Sequence, residues 1–231
     1  MKRRTLYYLL TLTTFGILLL LLRLFFRNVG FVSEGASQHV RFSYPPLFFF
    51  IWNIFLAWIP YIISLKIKCQ RAINWQSLGL SFMCLLFLPN APYLITDLMH
   101  MRVRPPVPVW YDAILFFLFT GLGLMLGFFA MRNLSVFWRR FLSRNVHTVL
   151  IAGLWLLCSL GIYIGREGRW NSWDLFTRPL DLMEYVFHLF YSPAELFPVT
   201  IFTVVFTLFL CLGYWGMDHL MISRASIDSK K

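Results

Sequence analysis

Long apolar runs separated by short polar stretches dominate the chain. A helix that crosses the hydrocarbon core of a bilayer needs about 20 mostly apolar residues, because each residue rises about 1.5 Å and the core is about 30 Å thick. Alternation typical of strands does not recur, so we expect an all-α, polytopic membrane protein. Six runs of suitable length contain no charged residue, and they are Thr5–Leu22, Pro45–Leu65, Ser77–Thr96, Ala113–Met131, Thr148–Gly165 and Leu196–Met217.

These runs predict a single domain over residues 1–231, a bundle of six transmembrane helices. The basic start Lys2-Arg3-Arg4 is also typical of a signal peptide. The first apolar run is longer than the usual signal core of about 7–15 residues, and no small-x-small cleavage site follows closely, so we predict an uncleaved anchor. We place the six helices at about 5–26, 45–65, 77–96, 110–131, 148–165 and 194–217.

The basic residues predict how the helices are oriented. With six crossings, the amino terminus, the second and fourth connections and the carboxyl tail share one side. That side carries 13 of the 21 lysines and arginines but only two of the ten acids, Asp218 and Asp228. Basic connections face the cytoplasm in multi-pass proteins. We therefore expect both termini to be cytoplasmic, and the outer face to be close to neutral.

The amino-acid composition limits which binding partners we expect. Hydrophobic residues make up 59% of the chain and charged residues 13%, whereas a soluble domain carries roughly a quarter charged residues. The net charge of +11 would by itself be compatible with nucleic-acid binding. Because the whole excess lies on the predicted cytoplasmic side, we interpret it as a signal of topology. The partner we expect is the lipid bilayer and not nucleic acid, and protein partners stay unassigned.

A shorter amphipathic stretch lies between the fifth and sixth runs. In a helix over residues 179–191, Asp181, Glu184 and His188 fall on one face and apolar side chains cover most of the other. Such a helix is predicted to lie in the plane of the outer interface. Glu184 and His188 also have a spacing that suits metal ligands, but no His-Glu-x-x-His run is present. We assign no metal site.

Two prolines interrupt the third run near its predicted outer end. Pro89 and Pro92 each remove a backbone donor and disfavour helix at the preceding residue, so a kink or break is predicted. Inside a membrane the freed carbonyl groups need partners. A packing kink would satisfy them with Asn90 or a neighbouring side chain, whereas transporters use such breaks as ion and substrate sites. On the second interpretation, Asn90 and Tyr93 are candidate substrate-binding residues.

Asp97 and His100 follow this break. If the chain is helical from Thr96 onward, the two side chains lie on one face. That arrangement suits a carboxylate that orients a histidine for acid–base chemistry, or a pair of metal ligands. An ordinary Asp–His contact at the level of the headgroups is the structural alternative. We take Asp97 and His100 as candidate catalytic residues.

The end of the fifth run is dense in polar and aromatic residues. Arginine binds phosphate or carboxylate groups bidentately, and tryptophan favours the level of the lipid headgroups. Alternatively, Arg166 only complements the helix dipole, and Asn171 or Ser172 caps a short helix. The candidate anion- or substrate-binding residues are Arg166, Arg169, Asn171 and Trp173, with Asp174 as a catalytic or orienting carboxylate.

Other notable features have structural interpretations. Arg23, at the far end of the first run, is predicted to snorkel to the interface. Asp112 is predicted to complement the dipole of the fourth helix, which it opens. The four cysteines are scattered without Cys-x-x-Cys spacing, and no phosphate-binding loop, dinucleotide fingerprint or hydrolase elbow is present. We therefore expect no cofactor.

Three segments together resemble a bacterial multi-pass membrane family that is classed only as a domain of unknown function. They are Leu88-Pro89-Asn90-Ala91-Pro92-Tyr93, then Thr96-Asp97 with His100, and Gly165-Arg166 with Asn171-Ser172-Trp173-Asp174. The resemblance extends over nearly the whole chain, and Pro-Asn-x-Pro-Tyr is its most specific part. It implies a multi-pass fold in the bacterial cytoplasmic (inner) membrane. It implies no activity and assigns no catalytic residue.

Three functions are compatible with these features. The first is an outer-face polar site that binds or processes a lipid-linked or small polar substrate. The second is a small transporter, which would usually place charges near the bilayer midplane, where the six runs have none. The third is a membrane interaction or assembly protein without a site of its own. We favour the first and leave open whether the protein is an enzyme.

Overall fold

Helices make up nearly all of the chain that the computed structural model describes, which is residues 3–28, 47–101 and 107–228. The start predicted at residue 45 for the second helix lies outside these residues. In chain order the elements are α1 (Arg3–Asn28), α2 (Leu47–Cys69), α3 (Trp75–Phe87), α4 (Asn90–Tyr93), a 3-10 helix (Thr96–His100), α5 (Val109–Trp138), α6 (Arg144–Glu167), α7 (Asp174–Thr177), α8 (Pro179–Tyr191) and α9 (Pro193–Asp228).

Within the residues that the structure describes, six stretches are long and apolar enough to cross a membrane. The prediction of an all-α protein with six membrane-spanning helices is therefore confirmed. The third stretch is interrupted, since α3, α4 and the 3-10 helix follow one another along it. The six stretches are Arg4–Arg23, Phe49–Cys69, Trp75–His100, Val109–Trp138, Arg144–Glu167 and Pro193–Met221.

Two of the helices continue well past their apolar runs. α5 has 30 residues and α9 has 36, so both exceed the roughly 20 residues that cross the hydrocarbon. In these extensions Arg132 Nε lies 2.8 Å from Asp218 Oδ1. Asn133 Nδ2 donates to Ser64 Oγ at 3.0 Å. Arg132, Asn133 and Asp218 are thus paired within the protein, which is compatible with helical backbone there.

The contacts divide the chain into two compact units. Unit 1 comprises residues 1–58 and 90–126, and unit 2 comprises residues 59–89 and 127–231. α2 and α5 contribute residues to both units. Each unit has its own apolar core, and the candidate site residues fall in both.

The core of unit 1 is built from aromatic rings of α2 and α5. Phe50 stacks on Phe119 with ring centroids 5.0 Å apart, and it meets Phe116 edge-on at 4.8 Å. α1 packs closely here, because a Cβ atom on Gly16 would lie 3.1 Å from Phe119 Cζ. Glycine therefore allows α1 and α5 to approach each other in unit 1.

A buried ion pair joins the same two helices. Arg23 of α1 donates from Nε to Asp112 Oδ1 at 2.6 Å and from a terminal nitrogen to Oδ2 at 2.9 Å. Only 6% of Arg23 and 3% of Asp112 are exposed. The neighbouring Tyr111 hydroxyl donates to the Leu19 carbonyl at 2.5 Å. Arg23 therefore pairs internally instead of snorkelling, because a bidentate carboxylate offsets the cost of burying its charge.

The core of unit 2 holds α8 in place. Trp155 of α6 contacts Tyr214 of α9, with ring centroids 5.8 Å apart. Tyr163 of α6 contacts Phe202 of α9, with ring centroids 5.4 Å apart. Leu189 of α8 is buried with Tyr163 in the same cluster. The helix predicted over residues 179–191 is thus anchored against α6 and α9, and it fixes the segment that connects α6 to α8.

The buried ion pair yields the first prediction. Arg23→Gln or Asp112→Asn should lower the free energy of unfolding by about 3–5 kcal/mol, because each leaves one buried charge without its partner. The double variant Arg23→Leu with Asp112→Leu should recover most of this loss. The measurement is the thermal unfolding midpoint of the detergent-solubilised protein.

A matched control is Arg132→Gln, which removes the ion pair to Asp218, where 22% and 29% of the two side chains are exposed. It should cost about 1 kcal/mol or less, since water screens that pair. Equal midpoints for the wild type and the two buried single variants would contradict a stabilising role for the Arg23–Asp112 pair.

Candidate functional site

The third membrane-spanning stretch breaks where its two prolines lie. α3 ends at Phe87, and the Leu88 N–H donates to the Leu85 carbonyl at 3.3 Å, a tightened turn before Pro89. Beyond Pro92, the Ile95 N–H donates to the Pro92 carbonyl at 3.0 Å, again three residues back. The chain therefore continues in 3-10 geometry, which brings side chains three residues apart onto one side.

Hydroxyl groups satisfy carbonyl oxygens around the break. In unit 1, Thr96 Oγ1 donates to the Tyr93 carbonyl at 2.7 Å and Thr120 Oγ1 donates to the Leu94 carbonyl at 3.1 Å. In unit 2, Ser172 Oγ donates to the Leu86 carbonyl at 3.0 Å. These bonds are what the packing-kink interpretation requires, since threonine and serine are neighbouring side chains that satisfy the carbonyl groups.

Asp97 lies in the 3-10 helix and is completely buried. None of its surface is exposed, and Asn53 Nδ2 of α2 donates to its Oδ2 at 3.1 Å. A buried carboxylate in a membrane-spanning stretch is energetically costly, and such groups mark functional sites by default. Asn53 is a site residue that sequence reasoning missed. The sequence places it within an apolar run and gives no indication that it contacts Asp97.

His100 lies one 3-10 turn beyond Asp97 and is exposed. Its ring meets Phe49 of α2 edge-on, with centroids 6.2 Å apart. Phe49 and Asn53 are four residues apart and so share one face of α2. Asp97 and His100 therefore lie against the same face of α2, as the spacing predicts. They differ in environment, since the carboxylate is shielded and the imidazole is accessible.

Asn90 and Tyr93 lie on the short helix α4 and are both half-buried. In unit 1, α5 packs directly on this segment. A Cβ atom on Gly123 would lie 2.4 Å from the Ala91 carbonyl oxygen and 2.6 Å from a Leu94 methyl group. Only glycine permits this approach, so Gly123 positions the segment that carries the four candidate residues of unit 1.

In unit 2, Asp174 organises the connection between α6 and α8. It is 4% exposed, and its Oδ2 accepts the Asn171 N–H at 2.8 Å and Asn171 Nδ2 at 3.4 Å. Its Oδ1 accepts the Thr177 hydroxyl at 3.2 Å and lies 3.5 Å from a terminal nitrogen of Arg178. These donors hold the pKa of the Asp174 carboxyl below its ordinary value of 3.8, with the Asn171 backbone N–H as the largest cause. A carboxylate so stabilised suits an orienting role better than proton abstraction near neutral pH.

The other predicted residues of unit 2 lie around Asp174. Arg166 and Trp173 are half-buried, whereas Arg169 and Asn171 are exposed. Trp173, and not Asn171 or Ser172, occupies the N-cap position of α7, without a side-chain capping bond. Asn171 instead binds Asp174 from the preceding turn, and Ser172 binds the Leu86 carbonyl.

Sequence reasoning missed Arg178 and Trp170. The Arg178 guanidinium carbon lies 4.8 Å from the centroid of the Trp170 ring, and Trp170 in turn contacts Tyr185 of α8 with centroids 5.9 Å apart. The spacing of Asp174 and Arg178 at i and i+4 was the available signal, since it favours a charge pair on a helix.

The structure thus groups the candidate residues by unit. Unit 1 holds Asn90, Tyr93, Asp97 and His100, with Asn53 added. Unit 2 holds Arg166, Arg169, Asn171, Trp173 and Asp174, with Trp170 and Arg178 added. Among the residues that the structure describes, no three His, Cys, Asp or Glu side chains are placed to hold a metal ion, so a site that adds Glu184 and His188 as metal ligands is not proposed.

The six apolar helical stretches define the class of protein, which is a multi-pass membrane protein. Within this class the chain belongs to the family described as Protein of unknown function (DUF1361), which matches residues 52–212. This membership confirms the resemblance to a family of unknown function, and the matched region includes every candidate site residue. No curated protein and no solved structure matches the chain.

The packing of α5 on α4 yields the second prediction. Gly123→Ala should lower the free energy of unfolding by about 1–3 kcal/mol, because its methyl group would clash with a backbone carbonyl that cannot move freely. Gly121→Ala is the matched control on the same helix, since a Cβ atom there meets nothing within 4 Å. Thermal unfolding in detergent compares the two, and equal midpoints would contradict the close approach.

The environment of Asp174 yields the third prediction. Because its pKa is lowered in the folded protein, the carboxylate stabilises the fold above its unfolded pKa, and this contribution disappears as the pH falls through the folded value. Asp174→Asn should therefore cost about 1–3 kcal/mol at pH 7 and progressively less below about pH 4. Unfolding midpoints measured across this range test the prediction.

Asp181→Asn is the control for this experiment, since Asp181 is exposed on α8 and should change the midpoint little at either pH. A deficit of Asp174→Asn that stays constant from neutral to acidic pH would show that the charge of Asp174 is not what stabilises the connection.

Proposed function

We propose that the protein binds a lipid-linked or small polar substrate at a polar site on the outer face of the membrane. If the protein is an enzyme, the same site processes that substrate. The observation that carries this proposal is the completely buried carboxylate of Asp97, bound by the Asn53 amide within a membrane-spanning stretch. Burial of a carboxylate there costs free energy, and ionisable residues in membrane-spanning stretches mark functional sites by default. A ligand hydroxyl or ammonium group is a suitable donor to such a carboxylate.

The residues of unit 1 have distinct proposed roles. Asp97 accepts a proton or a hydrogen bond from the ligand, and Asn53 holds the carboxylate in position. His100, which is exposed and lies against the same face of α2, serves as the acid–base group because an imidazole can both donate and accept a proton. Asn90 and Tyr93, on the helix just before them, are proposed to contact the ligand.

The residues of unit 2 are proposed to form an anion-binding set of their own. Arg166 and Arg169 supply guanidinium groups that suit phosphate or carboxylate oxygens. Asn171 and Trp173 contribute an amide and an amphipathic ring, and Asp174 orients this segment through the hydrogen bonds described above. The order of the polar segments along the chain supports an outer position for both sets, given the orientation that the basic residues favour.

We further propose that the protein lies in the cytoplasmic membrane of a bacterium with both termini in the cytoplasm. The support is the charge distribution, with 13 of the 21 cations on the side that carries the termini. On this orientation α8 lies in the outer interface, where its exposed apolar side chains contact lipid.

The proposal predicts the outcome of a complementation experiment. In the organism that encodes the protein, the gene is deleted and the strain is scored by its lipid composition and its growth under envelope stress. Asp97→Asn and His100→Ala should restore no more than the empty vector does, because they remove the carboxylate charge and the imidazole. Both variants should still be recovered from membranes as monodisperse protein.

Asp181→Asn serves as the matched control, since it removes an exposed acid of α8 and should complement like the wild type. Full complementation by both Asp97→Asn and His100→Ala would overturn the site and favour an interaction or assembly role. Solute movement into proteoliposomes that depends on the protein would favour a transporter instead.

A further inference from the structure

Arg178 is held between a buried carboxylate and an aromatic ring. Its terminal nitrogen lies 3.5 Å from Asp174 Oδ1, and the Arg178 side chain is 56% exposed while that of Asp174 is 5% exposed. The guanidinium carbon lies over the Trp170 ring at 4.8 Å. The side chain is therefore fixed on two sides and accessible on the others, which reduces the conformational entropy that a bound ligand must remove.

The backbone is shaped to place the Trp170 ring. A Cβ atom on Gly168 would lie 2.5 Å from Trp170 Cδ1 and 2.6 Å from Tyr185 Cζ, so a larger residue at this position would displace the two rings. Arg169 has a φ of 55°, in the left-handed region that non-glycine residues rarely adopt. Such strain persists where the surrounding structure imposes it, and it clusters at binding sites.

The guanidinium keeps most of its binding capacity. Arginine carries five N–H donors, and the contact to Asp174 is long at 3.5 Å. Asp174 also accepts from the Asn171 backbone and from Thr177, which satisfy much of its demand. The remaining fork of donors matches the oxygens of a phosphate group, which it can bind bidentately.

The helix α8, which begins beside Arg178, indicates at which depth in the membrane Arg178 lies. Leu180, Met183 and Phe187 of α8 are 77%, 53% and 58% exposed. Large apolar side chains exposed along one helix are accommodated when the helix lies at the boundary between headgroups and acyl chains. A guanidinium at the start of such a helix is then within reach of phosphate oxygens.

We propose that Arg178, stacked on Trp170 and oriented by Asp174, binds the phosphate group of the ligand. This inference rests on the proposed function for the outer position of α8, and it names the ligand class as a phosphate ester carried by a lipid. Trp170 and Asp174 are positioning residues, whereas Arg178 contacts the phosphate. A free phosphate has the same chemistry, and the experiment separates the two sources.

The test measures how ligands raise the thermal unfolding midpoint of the purified protein in neutral detergent. The probes are phosphatidylglycerol, diacylglycerol with the same acyl chains, and inorganic phosphate. The wild type should be stabilised by phosphatidylglycerol and not by diacylglycerol. Arg178→Gln should raise the half-maximal phosphatidylglycerol concentration about tenfold or more, the usual consequence of losing charge-assisted hydrogen bonds.

Further variants separate contact from positioning. Arg178→Lys keeps the charge without the planar fork and should be intermediate. Trp170→Phe should bind nearly as the wild type because a ring remains, whereas Trp170→Leu should resemble Arg178→Lys. Arg71→Gln is the charge-matched control, since Arg71 is exposed on the connection between α2 and α3, and it should leave the lipid response unchanged.

Each other outcome has a definite meaning. Stabilisation by inorganic phosphate that also depends on Arg178 would support the phosphate site and assign it a soluble ligand. An unchanged phosphatidylglycerol response in Arg178→Gln, an equal loss in Arg71→Gln, or equal stabilisation by diacylglycerol would overturn the inference. None of these results depends on Asp97, so the complementation experiment can fail or succeed independently.

Discussion

Hydrocarbon offers no hydrogen-bond partner, and this constraint governs the whole fold. Each membrane-spanning stretch is helical because a helix satisfies its own backbone, and an interruption must find its partners inside the protein. Pro89 and Pro92 create such an interruption, and the hydroxyl groups of Thr96, Thr120 and Ser172 donate to carbonyl oxygens around it. Because these carbonyl groups have partners, the chain can leave the α-helical path here, and the residues after the break adopt 3-10 geometry.

The same constraint gives the two buried aspartates of unit 1 different meanings. Asp112 receives a bidentate guanidinium from Arg23, a closed pair that fastens α1 to α5. Asp97 lies just after the break, bound by the Asn53 amide and followed one turn later by the exposed His100. A carboxylate next to an accessible imidazole is suited to a ligand, whereas a closed ion pair is suited to holding helices together. We therefore base the proposed function on Asp97.

Unit 2 shows how a short connection is made rigid. The buried Asp174 gathers donors from Asn171 and Thr177, Gly168 lets two rings close over the backbone, and Leu189 anchors α8 in the core beside Tyr163. This arrangement orients the exposed side chain of Arg178. Polar atoms of the connection are thus used to orient a cation, which is the arrangement that a phosphate-binding site needs.

The sequence by itself determined the class, the number of membrane-spanning helices and the position of the break, because length, hydropathy and proline chemistry are local properties. It also marked Asp97, His100 and Asp174, whose residue types are unusual next to apolar runs. Only the tertiary structure decided what they contact. Arg23 and Asp112 are 89 residues apart, Asn53 and Asp97 are 44 apart, and Ser172 and Leu86 are 86 apart. Such partners depend on how the helices pack. Because the helix surfaces are almost uniformly apolar, the sequence has no periodic pattern that indicates which faces meet.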